Sequence, residues 1–286
     1  MSSRNAIDSP VHIRPTAVAG TFYPAAAGTL HRQIQGYMDT ARSALTDGAQ
    51  LNGPRIRAII APHAGYRYSA PVAASAYTFL EPLRKRFNRV VLIGPSHRVG
   101  FDGLACSSAE AFDTPMGAVP VDTVVTRKLT KLHGVHINDA AHAPEHGLEV
   151  HLPLLIQTIG RTDEPVHIGF DIVPLLFGEV PDTLVAKVLN PFFDDEKTLV
   201  VISSDLSHYL DYATAVTVDR QTADAIVDRR ADDITSDRAC GHTCIRAVLR
   251  CAADRGLEVS EVDLRNSGDT AGPRDSVVGY GAFIIR

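Results

Sequence analysis

Short, uninterrupted apolar runs are the feature that most constrains the fold of this chain. Unlike the strands of a half-exposed sheet, these runs show no alternation of polar and apolar residues, which is typical of strands buried on both faces. Pro174 interrupts one run and predicts an edge position or an irregularity there. The runs are residues 57–61, 90–93, 168–177, 199–202 and 281–285.

Segments with helical periodicity separate these runs. Strands that alternate with helices favour an α/β fold, in which helices flank a central sheet that is mostly parallel or mixed. Ligands in such folds usually bind beyond the carboxyl ends of the strands. The predicted helices are residues 29–44, 71–80, 122–132, 145–159, 181–193, 213–229 and 243–255.

The composition excludes several other classes of protein. The 286 residues carry a net charge of −5, which argues against a nucleic-acid partner bound through bulk electrostatics. The four cysteines are too few for a disulfide scaffold. No apolar stretch reaches the roughly 18 residues of a membrane span, and the first residues lack an apolar signal core. We therefore expect a cytoplasmic protein with an N-terminal arm (residues 1–13) and a single domain (residues 14–286).

Three of the 12 histidines follow the buried runs closely. His63 follows residues 57–61 in the segment PHAGY, His97 follows residues 90–93 in GPSH, and His208 lies in SSDLSH. If the three strands are parallel neighbours, the three imidazoles converge on one crevice. Because imidazole is both a common metal ligand and a proton shuttle near neutral pH, two ligand histidines and one histidine base would use all three.

Two residues compete for the place of a third ligand. Asp205 lies three residues before His208 and can bind a metal, orient an imidazole or simply cap the next helix. Cys240 precedes Gly241 at a predicted helix start, where the positive end of the helix dipole favours thiolate. The residue pattern alone leaves this choice open.

A second cluster of polar residues occurs in the segment EHGLEVHLP, residues 145–153. On a helix, His146 and Glu149 share a face, whereas His151 lies about 140° around from His146. Glu149 or His151 is therefore expected to orient a ligand or to contact substrate, the alternative being a capping glutamate and a surface histidine. Tyr280, in a Gly-rich turn near the C-terminus, is expected to offer its hydroxyl to the same site.

Seven motifs occur in one characteristic order along residues 14–286. They are RPTAVAGTFYP, APHAGYRYSAPVAASAY, LIGPSH, EHGLEVHLPLL, SSDLSHY, the Cys-Gly pair of ACGHTCI, and GDTAG followed by VVGYGAF. Together these motifs resemble the Memo family, which in prokaryotes is known as AmmeMemoRadiSam system protein B. The sequence departs from the family pattern where Gly147 and Ala271 replace a usual serine and Cys244 replaces a usual proline.

The resemblance implies a fold similar to that of class III extradiol dioxygenases, which hold non-haem Fe(II) with two histidines and a carboxylate. It implies that His63, His97 and Cys240 bind the metal, the cysteine standing where the dioxygenases have the carboxylate. It also implies that His208 acts as acid and base, with Asp205 beside it. The family is described as binding iron or copper, so Fe(II) is the expected metal, with copper or zinc as alternatives.

The function expected from this resemblance is that of a metal-dependent, dioxygenase-like oxidoreductase. A non-catalytic adaptor with a metal site is one alternative. A zinc-dependent hydrolase is another, since two histidines, a cysteine and a water also form a catalytic zinc site. The expected partners are a small-molecule substrate or a peptide, and proteins of the AMMECR and radical-SAM types; no nucleic acid or membrane partner is expected.

Overall fold

A computed structural model describes residues 11–45, 56–160 and 168–286. Within these residues, nine strands form one mixed sheet and three short strands form a separate one. In chain order the strands are β1 (Ile13–Arg14), β2 (Ala58–Ala61), β3 (Arg89–Pro95), β4 (Leu104–Cys106), β5 (Ala111–Phe112), β6 (Val119–Pro120), β7 (Val135–Ile137), β8 (Asp171–Phe177), β9 (Thr198–Ser203), β10 (His208–Leu210), β11 (Val259–Asn266) and β12 (Val277–Ile285).

The centre of the large sheet is parallel. Strands β2, β9, β3 and β8 are consecutive neighbours and run in the same direction. Antiparallel strands extend the sheet on both sides, with β12 beside β2 and β4 beside β8. All the predicted apolar runs lie in this sheet, so the prediction of an α/β fold with a mostly parallel or mixed sheet is confirmed.

Helices cover both faces of the sheet, because alternate residues of each central strand point to opposite sides. Within the described residues the helices are α1 (Ala27–Ala44), α2 (Tyr66–Thr78), α3 (Thr123–Leu129), α4 (Asp139–His142), α5 (His151–Ile159), α6 (Asp182–Leu189), α7 (Tyr212–Val227), α8 (His242–Asp254) and α9 (Ser267–Thr270). In β2, Ile59 packs with helices α1, α2 and α5, whereas Ile60 packs with α6, α7 and α8 on the other face.

Two prolines lie at positions that the sequence did not predict for them, one inside the sheet and one inside a helix. Strand β8 is internal to the sheet, yet Pro174 pairs with Leu92 on one side and precedes the three residues that pair with β4 on the other. The missing N–H of Pro174 therefore leaves no gap between β8 and β4. The helix predicted to begin at residue 71 instead begins at Tyr66, and Pro71 lies inside it.

The N-terminal arm predicted for residues 1–13 lies mostly outside the described residues. Within them, Ile13 and Arg14 form β1, which pairs with β5. The guanidinium of Arg14 is buried against Glu149 at 2.6 Å. No helix among the described residues is long and apolar enough to cross a membrane.

Candidate metal site

The carboxyl ends of β2, β9 and β3 meet at one edge of the sheet because these strands are adjacent and parallel. The chain leaves β2 at His63, leaves β9 through Asp205, and leaves β3 at His97. The prediction that these strand ends lie side by side is confirmed, but the third imidazole close to those of His63 and His97 is that of His146, not that of His208. The shared edge forms the floor of the candidate site.

Three imidazoles come together above this floor. One ring nitrogen from each of His63, His97 and His146 lies within 4.8 Å of the others. The ring centroids of His63 and His97 are 5.0 Å apart, and those of His97 and His146 are 4.6 Å apart. Burial and the neighbouring imidazoles keep the pKa of His63 well below its usual value, so His63 is neutral near pH 7.

The segment around His146 differs from its predicted helix. Helix α5 begins at His151, and residues 145–150 form an irregular segment that ends in a turn at 147–150. Two polar contacts hold this segment: the Glu145 side chain accepts the backbone N–H of Gly147 at 2.8 Å, and the Gly147 carbonyl accepts the Ser203 hydroxyl at 2.6 Å. The helical angles predicted for this segment therefore do not apply, and His146 joins the cluster while His151 lies below it.

Glu145 orients His97. Its carboxylate accepts the backbone N–H of His97 at 2.7 Å and lies 2.8 Å from Nδ1 of the same residue. Although burial raises the pKa of Glu145, the hydrogen bond from His97 lowers it below its usual value. A carboxylate on Nδ1 fixes the proton there and leaves Nε2 free to bind a metal, an arrangement common among metal-ligating histidines.

Cys240 lies beside His63. Its Sγ is 3.4 Å from His63 Nε2 and accepts the backbone N–H of Asp205 at 3.3 Å. Sulfur and nitrogen ligands bound to one tetrahedral metal at about 2.3 and 2.1 Å stand roughly 3.6 Å apart, which is close to the observed distance. Burial and the charge of Asp205 raise the pKa of Cys240 to about 12. Cys240 is therefore a protonated thiol in the metal-free protein, not the thiolate expected at this helix start. Metal binding would release its proton.

Asp205 and His146 differ from Cys240 as third-ligand candidates. One Asp205 carboxylate oxygen accepts the backbone N–H of His63 at 2.8 Å, so Asp205 supports the strand end that carries His63. Burial raises the pKa of Asp205 to about 6. His146 Nδ1 lies 3.2 Å from the Glu145 carboxylate without hydrogen-bond geometry and has no hydrogen-bond partner among the described residues. Cys240 contacts His63 Nε2 directly, whereas His146 is the candidate with a ring nitrogen within 4.8 Å of those of both His63 and His97.

Two other predicted site residues, His208 and Tyr280, differ in how far they are buried. His208 begins β10 and is partly buried; its charge influences the pKa values of His63 and Asp205. Tyr280 is buried in β12, where burial and then the charge of Asp205 raise its pKa. Both residues therefore lie near the Asp205 side of the cluster.

Glu149 and His151 are both completely buried, and their contacts lie away from the imidazole cluster or beneath it. Glu149 binds the N-terminal segment: it accepts hydrogen bonds from Arg14, from the backbone of Ala17 and from the Tyr23 hydroxyl. His151 lies between the Tyr77 hydroxyl at 2.9 Å and the Ser203 hydroxyl at 3.0 Å.

Three site residues were absent from the predicted set: His146 as a candidate ligand, Glu145 as the partner of His97, and Ser203 as a partner of His63. The adjacent pair Glu145-His146 was visible in the sequence. Because a helix was predicted there, the predicted site residues were Glu149 and His151, three and five positions after His146. Ser203 is the last residue of β9, and its place directly at a strand end was the signal that could have identified it.

The close approach of Gly241 to β9 leads to a prediction about the Cys240 loop. A Cβ atom at Gly241 would lie 2.4 Å from Ser204 Cβ and 2.9 Å from the Ser203 carbonyl oxygen. Because the strand end cannot move away cheaply, Gly241→Ala is expected to displace Cys240 from His63 and to lower the free energy of unfolding by about 1–3 kcal/mol. Chemical denaturation and anaerobic metal titration measure both effects.

The matched control is Gly36→Ala in α1, where an added Cβ meets nothing within 4 Å. This control is expected to raise stability by roughly 0.5–1 kcal/mol, because alanine favours helix. If Gly241→Ala kept wild-type metal affinity and stability, the prediction would be wrong, because the Cys240 loop would then accommodate the added Cβ.

Comparisons with known proteins identify the family of this chain. The family described as Memo-like protein matches residues 14–284. A MEMO1 family protein of Sulfolobus acidocaldarius is 33% identical over 94% of this chain and 97% of the relative. Another, from Methanococcoides burtonii, is 32% identical over 96% of this chain and all of the relative. A third, from Archaeoglobus fulgidus, is 30% identical over 96% of this chain and all of the relative. The chain belongs to the Memo family.

Proposed function

We propose that this protein is a metal-dependent, dioxygenase-like oxidoreductase that binds Fe(II) through His63, His97 and Cys240. The observation that carries the proposal is the pair of contacts made by His63: Cys240 Sγ lies 3.4 Å from its Nε2, and a ring nitrogen of His97 lies within 4.8 Å of a His63 ring nitrogen. Two imidazoles and one thiolate would resemble the two-histidine, one-carboxylate ligand set of non-haem Fe(II) oxygenases, with sulfur in place of the carboxylate.

The donor set fits such an ion. The Glu145 carboxylate holds the Nδ1 proton of His97, and the Ser203 hydroxyl contacts Nδ1 of His63. When bound, Fe(II) would supply the redox chemistry with O₂ that the proposed reaction needs. Copper is a second metal for the same donors, since thiolate and imidazole both suit it.

The proton transfers of the proposed reaction are assigned to residues at the rim of the site. His208 is partly exposed at the start of β10, where its imidazole can take a proton from a substrate hydroxyl and later return it. Asp205, with a pKa of about 6, balances the charge that His208 gains when it accepts a proton.

The proposal is tested by adding Fe(II) anaerobically to metal-free protein and then supplying O₂ with catechol or protocatechuate. We expect one Fe(II) per chain and O₂ consumption that depends on substrate. His208→Gln is expected to keep the Fe(II) and to lower O₂ consumption at least about 100-fold, because a positioned acid and base typically contributes that much. A wild-type protein that binds no Fe(II), or binds it without any O₂ consumption, would contradict the proposal.

A zinc hydrolase is the competing enzyme, because two histidines and a cysteine also form a catalytic zinc site. Elemental analysis of freshly purified protein separates the two, since zinc at one equivalent with no iron favours the hydrolase.

A binding role is favoured by one specific observation. Tyr209, next to His208, is 77% exposed and has a φ of 60°. A bulky side chain rarely takes this backbone conformation without a functional reason. A peptide or a protein of the AMMECR or radical-SAM type could use this ring as a contact. Capture of such a partner by wild-type protein but not by Tyr209→Ala, without O₂ consumption, would support the adaptor role.

A further inference from the structure

The hydroxyl of Ser203 has three buried partners. Its Oγ lies 2.6 Å from His63 Nδ1, 2.6 Å from the Gly147 carbonyl oxygen and 3.0 Å from His151 Nε2. Ser203 and His151 are completely buried, and His63 is 2% exposed. Each hydrogen that these buried groups donate must therefore go to another atom of the same group.

Counting hydrogens fixes their direction. A hydroxyl donates one hydrogen bond and accepts two, whereas a carbonyl oxygen only accepts. The short Ser203–Gly147 contact therefore takes the hydroxyl hydrogen. Both imidazole nitrogens must then donate to Ser203, so His63 carries its proton on Nδ1 and His151 carries its proton on Nε2.

The rest of the chain of hydrogen bonds follows from His151. Burial lowers the pKa of His151 to about 3, so the ring is neutral near pH 7. With its proton on Nε2, His151 accepts the Tyr77 hydroxyl hydrogen at Nδ1, across 2.9 Å. Tyr77, His151 and Ser203 thus form one donor-to-acceptor sequence that ends at the Gly147 carbonyl.

We propose that Ser203, held by His151 and Gly147, is a positioning residue that selects the Nδ1–H tautomer of His63. This tautomer leaves a lone pair on Nε2, the nitrogen that lies 3.4 Å from Cys240 Sγ. The inference rests on the proposed metal binding, because the lone pair matters when an ion is bound. It assigns to a neutral hydroxyl on His63 the role that the Glu145 carboxylate has on His97.

Gly147 contributes through its backbone as well as its small size. A Cβ at this position would lie 3.2 Å from the Glu145 carboxylate and 3.6 Å from His63 Nδ1. Its carbonyl accepts from Ser203, and its N–H donates to Glu145 at 2.8 Å. One glycine therefore connects the residues that orient both histidines.

The experiment reads the tautomer without metal. In metal-free protein labelled with ¹⁵N-histidine, long-range ¹H–¹⁵N spectra distinguish Nδ1–H from Nε2–H rings. We expect wild-type His63 to be an Nδ1–H ring. Ser203→Ala is expected to shift His63 toward the Nε2–H form and to lower Fe(II) and Zn(II) affinity about 10- to 100-fold. Ser75→Ala, which removes a buried hydroxyl bonded to Asp263, is the matched control.

Two further variants keep the result interpretable. If Ser203→Ala does not fold, Ser203→Cys retains a side chain of similar size with a weaker acceptor and is expected to shift the tautomer partly. His151→Gln retains an N–H near Ser203 and is expected to preserve the wild-type tautomer better than His151→Leu. An Nε2–H ring in the wild type, or an unchanged tautomer in every Ser203 variant that folds, would overturn the inference. The tautomer is read in metal-free protein. This measurement therefore tests the role of Ser203 even if the protein does not bind Fe(II).

Discussion

Replacing His63 by alanine is expected to lower Fe(II) affinity by more than about 100-fold. The loss of an outer hydrogen-bond partner alone typically lowers metal affinity 10- to 100-fold, and His63 supplies a ligand atom itself. Its Nε2 also lies 3.4 Å from Cys240 Sγ, so the variant removes one of the groups that contact the thiol. Anaerobic competition with a chromogenic chelator measures the change.

Two further variants accompany this measurement. His97→Ala removes a partly exposed ligand candidate, so it tests the site with less disturbance of the core. His133→Ala removes an exposed histidine that is not part of the cluster and serves as the control. Wild-type affinity in both His63→Ala and His97→Ala, with the proteins folded, would mean that Fe(II) binds elsewhere.

Glu149→Gln is expected to lower the free energy of unfolding by about 3–5 kcal/mol, the range observed when one partner of a buried ion pair is removed. The Arg14 guanidinium, 4% exposed, would be left without a counter-charge. The Tyr23 hydroxyl and the backbone N–H groups of Ala17 and Val18 would also lose a charged acceptor. Urea denaturation followed by circular dichroism measures the loss.

The control for this variant is Glu81→Gln, which weakens a partly exposed contact with Arg42 and is expected to change stability by less than about 1 kcal/mol. The prediction from the sequence placed Glu149 near substrate or ligand, whereas its contacts here are with the N-terminal segment. If Glu149→Gln kept wild-type stability but lost metal binding or O₂ consumption, the original prediction would be the correct one.

The sequence predicted the sheet and the positions of His63 and His97 because both depend on local information. An apolar run is visible in four or five consecutive residues, and the residue that follows it lies at the strand end whatever the rest of the chain does. Parallel order then brings these ends together. His208 was placed by the same rule, although it lies five residues beyond β9 and begins a strand of its own.

The irregular segment at residues 145–150 could not be predicted in the same way. Its sequence has helical periodicity, and nothing within it opposes a helix strongly. Its conformation is decided by His97 and Ser203, which lie 48 and 56 positions away in the chain and bind Glu145 and Gly147. Such contacts between distant residues override local propensity, and they also decide that His146 faces the site.

The distance along the chain between His63 and Cys240 has a consequence for the biosynthesis of the proposed site. Cys240 follows His63 by 177 positions, so the ribosome adds His63 and His97 long before the sulfur. If the ion is bound as proposed, a chain that stops before residue 240 would carry the two imidazoles without the thiol.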